Sequence, residues 1–366
     1  MSERIFGLDL MRAMAILFVL LSHTVFLLPF SKYARYLIFQ YFGFFGVEIF
    51  FVLSGYLVGK ILIKLLNERP VEFNTIKHFW MRRWFRTLPG YYLALLLTTI
   101  VYGFSTKQFV FAEPYNLLYF VFLQNFMSPH PNFFPLAWSL SIEEWFYLLF
   151  PLWFVLIYWF SGNKKNYHLV AILSFLLLIV ILRVTIVSIN NPEWDDYIKR
   201  IVPLRLDALA TGVLAGFIHI HFKDLWDRYA KAFLWTGLVL FAAASVYFLF
   251  KRTNAEFPGN FFWKTFYFNV VSVAIAFALP YLTGNKIIHG GFFSKAIVHI
   301  SLISYSLYLT HLLVMFVIIT LLNKISIDGL YILKFISCWV FCILSATVFY
   351  RVFELPMTNL RERFGK

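Results

Sequence analysis

The feature that most constrains this chain is the recurrence, from one end to the other, of long apolar runs almost free of charge. A helix needs about 20 apolar residues to cross a bilayer. We read ten such runs, at residues 6–29, 41–65, 88–104, 143–160, 168–189, 204–220, 232–250, 265–282, 299–322 and 330–353. Composition points the same way: 61% of the 366 residues are hydrophobic and 14% charged, against about 45–50% and about 25% in soluble domains. No soluble core of this size could hide so much apolar surface. The expected fold is all-α: a polytopic transmembrane helical bundle of about ten spans, with residues 1–366 forming a single membrane domain. The stretch Tyr115–Phe126 is apolar but too short to cross, so an interfacial or re-entrant segment is expected there.

A formal net charge of +14 could suggest nucleic acid. The positive-inside rule accounts for it better, because the basic residues gather in alternate short loops. One set comprises Lys60, Lys64, Arg69, Lys77, Arg82, Arg83 and Arg86, then Lys164 and Lys165, then Lys223, Arg228 and Lys231, then Lys286 and Lys295, and finally Arg361, Arg363 and Lys366. The opposite loops carry fewer, among them Lys32, Arg35, Lys107, Lys199, Arg200, Lys251, Arg252, Lys264 and Lys324. Both termini are therefore expected in the cytoplasm. The first run, Leu8 to Pro29, is long enough to span and lacks a small-residue cleavage pattern after it. The two cysteines, Cys338 and Cys342, lie four apart in one apolar stretch, too few for a disulfide framework or a zinc site.

Ionisable residues inside spans are costly and mark functional sites by default, although pairing that merely holds helices together is the competing explanation for each one. Arg12 and His23 are eleven residues apart. At 100° per residue they share one helix face, roughly 16 Å apart along the axis. Asp9, three residues before Arg12, is within pairing distance. A second constellation, Phe79 to Arg86 closed by Pro89, holds Arg82, Arg83 and Arg86. Arginine suits bidentate phosphate binding, and coenzyme A carries a pyrophosphate and a 3′-phosphate. An ordinary interfacial anchor with flanking tryptophans is the alternative. A third, Trp138 to Tyr147, contains Glu143 and Glu144. Glu48 at the outer start of the second span, Arg205 and Asp207 at the outer end of theirs, and His311 about 18 Å into the ninth complete the set. Depth alone thus suggests a basic cytoplasmic site of Arg12, Arg82, Arg83 and Arg86, and an acidic, imidazole-bearing one of His23, Glu48, Glu143 and His311. A carboxylate beside a histidine raises its basicity and fixes its tautomer, which suits general-base work on a hydroxyl.

These residues fall in motifs that resemble those of the acyltransferase-3 family of bacterial membrane O-acyltransferases. Gly7 to His23 resembles its opening motif, an Arg, ten residues and a His. Gly46 to Leu57 resembles the second-span motif, with Glu48 where Asp is more usual. Arg82 to Arg86 with Pro89 resembles the arginine motif, with the Arg-x-x-Arg pair at Arg83 and Arg86. Trp138 to Tyr147 resembles the Trp-Ser-Leu…Glu…Phe-Tyr motif, with Glu143 as its glutamate. Arg205 to Gly212, Ser304 to His311 and Glu354 to Pro356 resemble the later elements. Seven motifs in order, from residue 7 to 356, cover nearly the whole chain.

The resemblance implies acyl-CoA as donor, most often acetyl-CoA, and a hydroxyl of a cell-surface or lipid-linked glycan as acceptor. It implies His23 at the catalytic centre, with Glu143, and Arg12, Arg83 and Arg86 on the CoA phosphates, joined by Arg82 on the same rim. Asp9, Glu48, Arg205, Asp207 and His311 are expected to support the site or face the acceptor. Neither a metal nor a nucleic acid is expected. The setting would be the bacterial inner membrane, with membrane lipids as partners. Some relatives carry a further hydrolase-like domain after the membrane part. With the sequence ending at Lys366, the expectation is that the chain acts alone or hands its acyl group to a separate periplasmic protein. A glycan transporter or flippase, or a non-catalytic component of polysaccharide assembly, is the competing class. A CoA-sized basic rim favours the enzyme, and binding or hydrolysis of acetyl-CoA by purified protein discriminates between them.

Overall fold

The computed structural model describes residues 4–107, 109–130, 133–161, 166–253, 260–284, 291–324 and 330–364, and among these no strand occurs. Nine helical stretches among the described residues are long and apolar enough to cross a membrane. The helices are α1 (Phe6–Thr24), α2 (Lys32–Glu68), α3 (Phe73–Thr106), α4 (Ala137–Phe160), α5 (Tyr167–Asn190), α6 (Trp194–Tyr197), α7 (Asp207–His221), α8 (Lys223–Arg228), α9 (Ala230–Thr253), α10 (Phe261–Lys264), α11 (Tyr267–Ala276), α12 (Leu279–Gly284), α13 (Phe292–Leu302), α14 (Ser304–Lys324), α15 (Tyr331–Phe349) and α16 (Leu355–Phe364). Lys164, Lys165, Lys286 and Lys366, used above to orient the chain, lie outside the described residues, as do the side chains of Lys324, Arg361 and Arg363.

Three expectations are refined. The run at 204–220 becomes α7, only 15 residues, or about 22 Å at 1.5 Å per residue, short of a bilayer core of about 30 Å. Its start is fixed by the 3-10 turn Val202–Leu204, with Pro203 early in the turn. Next, the basic stretch after the second span is largely helical rather than a loop. Helix α3 starts at Phe73 because Ile76, Phe79 and Trp80 recur at helical spacing and are buried. Arg82, Arg83 and Arg86 therefore ride on a helix. Finally, α2 starts at Lys32 and places Glu48 near its middle, not at its start.

The Tyr115–Phe126 segment folds as a 3-10 helix, Pro114–Val121, and leaves it through Phe122 at φ 58°. Buried Gln124 and Asn125 then tie it to the start of α4. Gln124 Nε2 donates to Ser141 Oγ at 2.5 Å and Asn125 Nδ2 to the Trp138 carbonyl at 3.0 Å. Non-helical backbone at membrane depth is tolerated only where protein or water satisfies it.

The chain forms two compact units, residues 1–47, 81–112 and 286–366, and residues 48–80 and 113–285. In the first, α1 packs on α13 and α14, and α14 on α15. Helix α1 stops at the 3-10 turn Val25–Leu27, ahead of Pro29. Between α15 and α16 the chain widens into one π turn, Tyr350–Glu354, where Pro356 can supply no helical N–H.

In the second unit, α7 packs against α5 and α11, and α9 against α11 and α12. The contact of α2 with α7 depends on small residues at four-residue spacing on both helices, Gly55 and Gly59 facing Gly212 and Gly216. A Cβ on Gly55 would fall 1.9 Å from the Leu209 carbonyl oxygen, and one on Gly212 would fall 2.2 Å from that of Val52. Backbone meets backbone there, so no side-chain adjustment makes room.

Candidate active site

Each unit carries its own polar constellation. In the first, α1 presents Arg12 near its beginning and His23 in its last turn. The partner the structure gives His23 is His311. Nε2 of His311 lies 3.3 Å from Nδ1 of His23, with the ring centroids 5.0 Å apart. His311 is fully buried. The chain breaks at Ile303, between α13 and α14, so His311 sits about 10 Å into α14, shallower than its place in one uninterrupted span. Its Nδ1 faces the carbonyls of Leu307 at 3.0 Å and Tyr308 at 2.9 Å. Nδ1 of His23 faces the Val19 carbonyl at 2.9 Å. Trp339 of α15 donates to Thr24 at 3.0 Å, closing the helix end beside His23.

At the other end of α1 the cations gather. Arg12 lies within electrostatic reach of Arg86, Asp9, Arg4 and Arg83. Asp9 is ordered from both sides: Arg4 donates to it through Nη2 at 2.9 Å and Nε at 3.2 Å, and Ser301 Oγ at 2.6 Å. Glu354, in the π turn, accepts from Ser306 and is within reach of Arg86 and Arg12. Tyr305 binds the Thr87 carbonyl at 2.7 Å, pinning the arginine-bearing stretch of α3 to α14. Four guanidinium groups thus share a small region with two carboxylates. Arg82 is exposed and outside the group that acts on Arg12. On α3 it stands about 100° round the axis from Arg83, its neighbour in sequence, and about 40° from Arg86, one turn further on.

In the second unit, Glu48 pairs with Arg205 and Asp207 with Arg183, all four at no more than 1% side-chain exposure. Arg183 Nη2 reaches Asp207 Oδ2 at 2.8 Å and Asn269 Oδ1 at 2.6 Å, and Asn269 returns 2.8 Å to Asp207. Both guanidinium groups lie over Phe268, Arg205 at 3.9 Å and Arg183 at 5.2 Å. Nη1 of Arg205 also donates to the Lys199 carbonyl at 3.3 Å. That carbonyl belongs to the connection between α5 and α7, where Asp195 bridges Lys199 and Arg252. Burial alone would push the Asp195 carboxyl up, but Lys199 and Arg252 outweigh it and hold the group below the usual carboxylate range. Burial lowers the Lys199 ammonium to about 8, against the pull of Asp195. Glu143 accepts from Tyr147 at 2.8 Å and from Ser54 at 3.5 Å.

Glu48, Arg205 and Asp207 therefore come together, joined by Arg183, while Arg12, Arg83 and Arg86 form another group and His23 with His311 a third. Arg183 stands in the sequence as a charge inside the apolar run at 168–189. Asn269 and Ser301 were not singled out, because neutral polar residues leave little mark in such runs.

The chain belongs to the acyltransferase-3 family. The family's profile, described as an acyltransferase domain, matches residues 5–351. It is an integral membrane protein with helical spans. Among its relatives, an O-acetyltransferase of Staphylococcus aureus strain NCTC 8325, OatA, is 26% identical over 377 residues, covering 96% of this chain and 57% of the relative. A protein of S. aureus strain COL, provisionally named an O-acetyltransferase, is 26% identical over 343 residues, 88% of this chain and 52% of the relative. One from Bacillus subtilis, provisionally named a peptidoglycan O-acetyltransferase, is 33% identical over 193 residues, 47% of this chain and 27% of the relative. The chain spans about half the length of the curated relatives it matches along most of its own. No solved structure matches it.

Proposed function

We propose that this chain is an acyl-CoA-dependent membrane O-acyltransferase, moving an acetyl group to a hydroxyl of a cell-surface or lipid-linked glycan, with residues 1–366 acting as one acyltransferase domain. The observation that carries the reading is the layout of α1: a guanidinium cluster around Arg12 at one end and the His23–His311 pair at the other, roughly 16 Å away. That separation is of the order of an extended pantetheine arm, with phosphates at one end of the donor and the thioester at the other. Arg12, Arg83 and Arg86 hold the phosphates, and Arg82 screens the donor's approach from the exposed side. His23 takes the proton of the acceptor hydroxyl as its oxygen attacks the thioester carbonyl. Glu143, held by Tyr147 and Ser54, works on the acceptor side, and the Glu48–Arg205 and Asp207–Arg183 pairs hold the second unit in shape. Asp9 braces Arg4 against the cation cluster. The relatives' names support transfer of an acetyl group to oxygen, and the name of the Bacillus subtilis relative supports a glycan, peptidoglycan, as acceptor. A separate periplasmic protein could take the acyl group onward.

The test is acetyl-CoA binding by purified protein. Arg83→Ala and Arg86→Ala are each expected to weaken it by about 10- to 150-fold, the worth of a hydrogen bond to a charged group, about 1.5–3 kcal/mol. Lysine at either position restores only part, because it lacks the planar fork. Unchanged affinity in both alanine variants would leave the cluster as a membrane anchor.

The membrane is proposed to be the bacterial inner membrane, with both termini in the cytoplasm, an even number of crossings that requires short α7, with the turn Val202–Leu204 before it, to complete the tenth. A cysteine at Thr106, at the end of α3, should then react with an impermeant thiol reagent added outside intact cells, and one at Arg69 should not. The reverse pattern would exchange the donor and acceptor faces.

A further inference from the structure

We propose that His311 is a positioning residue that fixes the tautomer of His23, so that Nε2 of His23 is the nitrogen that receives the acceptor's proton. This rests on His23 being the base named above. The argument runs through hydrogen-bond polarity. A carbonyl oxygen only accepts. Nδ1 of His311, within 3.0 Å of two carbonyls, must therefore carry its ring proton. In a neutral ring the other nitrogen, Nε2, then holds a lone pair, and that lone pair faces Nδ1 of His23 at 3.3 Å. Nδ1 of His23 meets a second acceptor, the Val19 carbonyl, at 2.9 Å. Its third neighbour, Ser22 Oγ at 3.2 Å, spends its own hydrogen on Val19 at 2.7 Å and can only accept. Every group around Nδ1 of His23 is an acceptor, so that nitrogen is the N–H. The lone pair of the ring is left on Nε2.

This arrangement differs from a histidine steered by a carboxylate. A neutral imidazole accepts the N–H without bringing a buried negative charge, whose desolvation would be costly. It also holds through the reaction. The hydroxyl O–H bond breaks as the N–H bond on Nε2 forms. The oxygen bonds to the thioester carbon, the C–S bond breaks, and the departing sulfur takes the proton back from Nε2. Throughout, Nδ1–H keeps the same acceptors, so the imidazolium needs no reorientation. His311 is itself fixed from behind: its backbone carbonyl takes the Cys342 thiol at 3.7 Å, and its side chain is fully buried.

The experiment uses full-length protein labelled with ¹⁵N-histidine. Ring-nitrogen spectra report which nitrogen of His23 carries hydrogen, with signals assigned from the His23→Ala preparation. Turnover is followed as acetyl-CoA hydrolysis, water standing in for the acceptor. The wild-type protein should show His23 protonated on Nδ1. His311→Leu should lower kcat about tenfold, the upper worth of one neutral hydrogen bond, admit a share of the other tautomer, and leave KM for acetyl-CoA unchanged. His311→Gln, whose amide oxygen can accept from Nδ1–H, should recover part of kcat. A wild-type spectrum with hydrogen on Nε2 of His23 overturns the proposal and needs no variant to fold. So does a folded His311→Leu protein with wild-type kcat. If His23→Ala itself retains hydrolysis, the reading of His23 as base fails, which is a separate result.

Discussion

His23→Ala should lose acyl transfer by about 10²–10⁴-fold, the usual contribution of a general base, and by more if the imidazole also carries the acyl group covalently. The same protein should insert and fold. What the substitution removes from the structure is small: the contact to His311, those to the Val19 carbonyl and Ser22 hydroxyl of its own helix, and an edge-on packing against Phe39. Interhelical polar contacts in membranes average only about 0.6 kcal/mol. Helix α1 keeps its apolar packing through Ala15, Ile16, Val19 and Leu20, all at no more than 1% exposure. Yield, monodispersity and turnover measured on one preparation separate the two effects. A well-folded variant that transfers at near the wild-type rate would remove His23 from the mechanism and leave His311 as the candidate base.

The second large effect concerns stability. Arg205→Met should destabilise the protein by about 3–5 kcal/mol, because it strands the Glu48 carboxylate at 1% exposure without its guanidinium. Adding Glu48→Gln should recover much of the loss, since the cost comes from an unpaired buried charge and not from the absence of a pair. Arg4→Ala offers the contrast. It also breaks an ion pair, with Asp9, but Arg4 is 46% exposed, and buried Asp9 keeps Ser301 and the nearby Arg12 as partners, so the loss should be about 1 kcal/mol. Thermal unfolding in detergent across the three variants should rank them in that order. A small loss for Arg205→Met would mean that water reaches Glu48.

Much of this was legible in the sequence. Apolar length located the spans, because lipid leaves a chain few alternatives. Helical spacing put Arg12 and His23 on one face of α1, a relation internal to one helix. What lies across helices was less accessible. Depth alone grouped His23, Glu48, Glu143 and His311, and of these the structure gives His23 the histidine for a partner. Glu48 instead meets Arg205, whose position in the turn before α7 depends on how Val202–Leu204 breaks the helix. The run at 204–220 is longer than the helix it forms, because hydropathy reads composition and not where a helix begins. The basic stretch before Pro89 looked like a loop because its charges outweigh, in a window average, the buried face of Ile76, Phe79 and Trp80.

The quartet of Glu48, Asp207, Arg183 and Arg205 has formal charges that sum to zero. The transmembrane voltage does work on net charge, about 2.3 kcal/mol per elementary charge for each 100 mV crossed. On two cations and two anions displaced together it does none. The second unit can therefore keep four ionised groups at depth without becoming a voltage sensor, and the strength of the cell's membrane potential has no purchase on where that network sits.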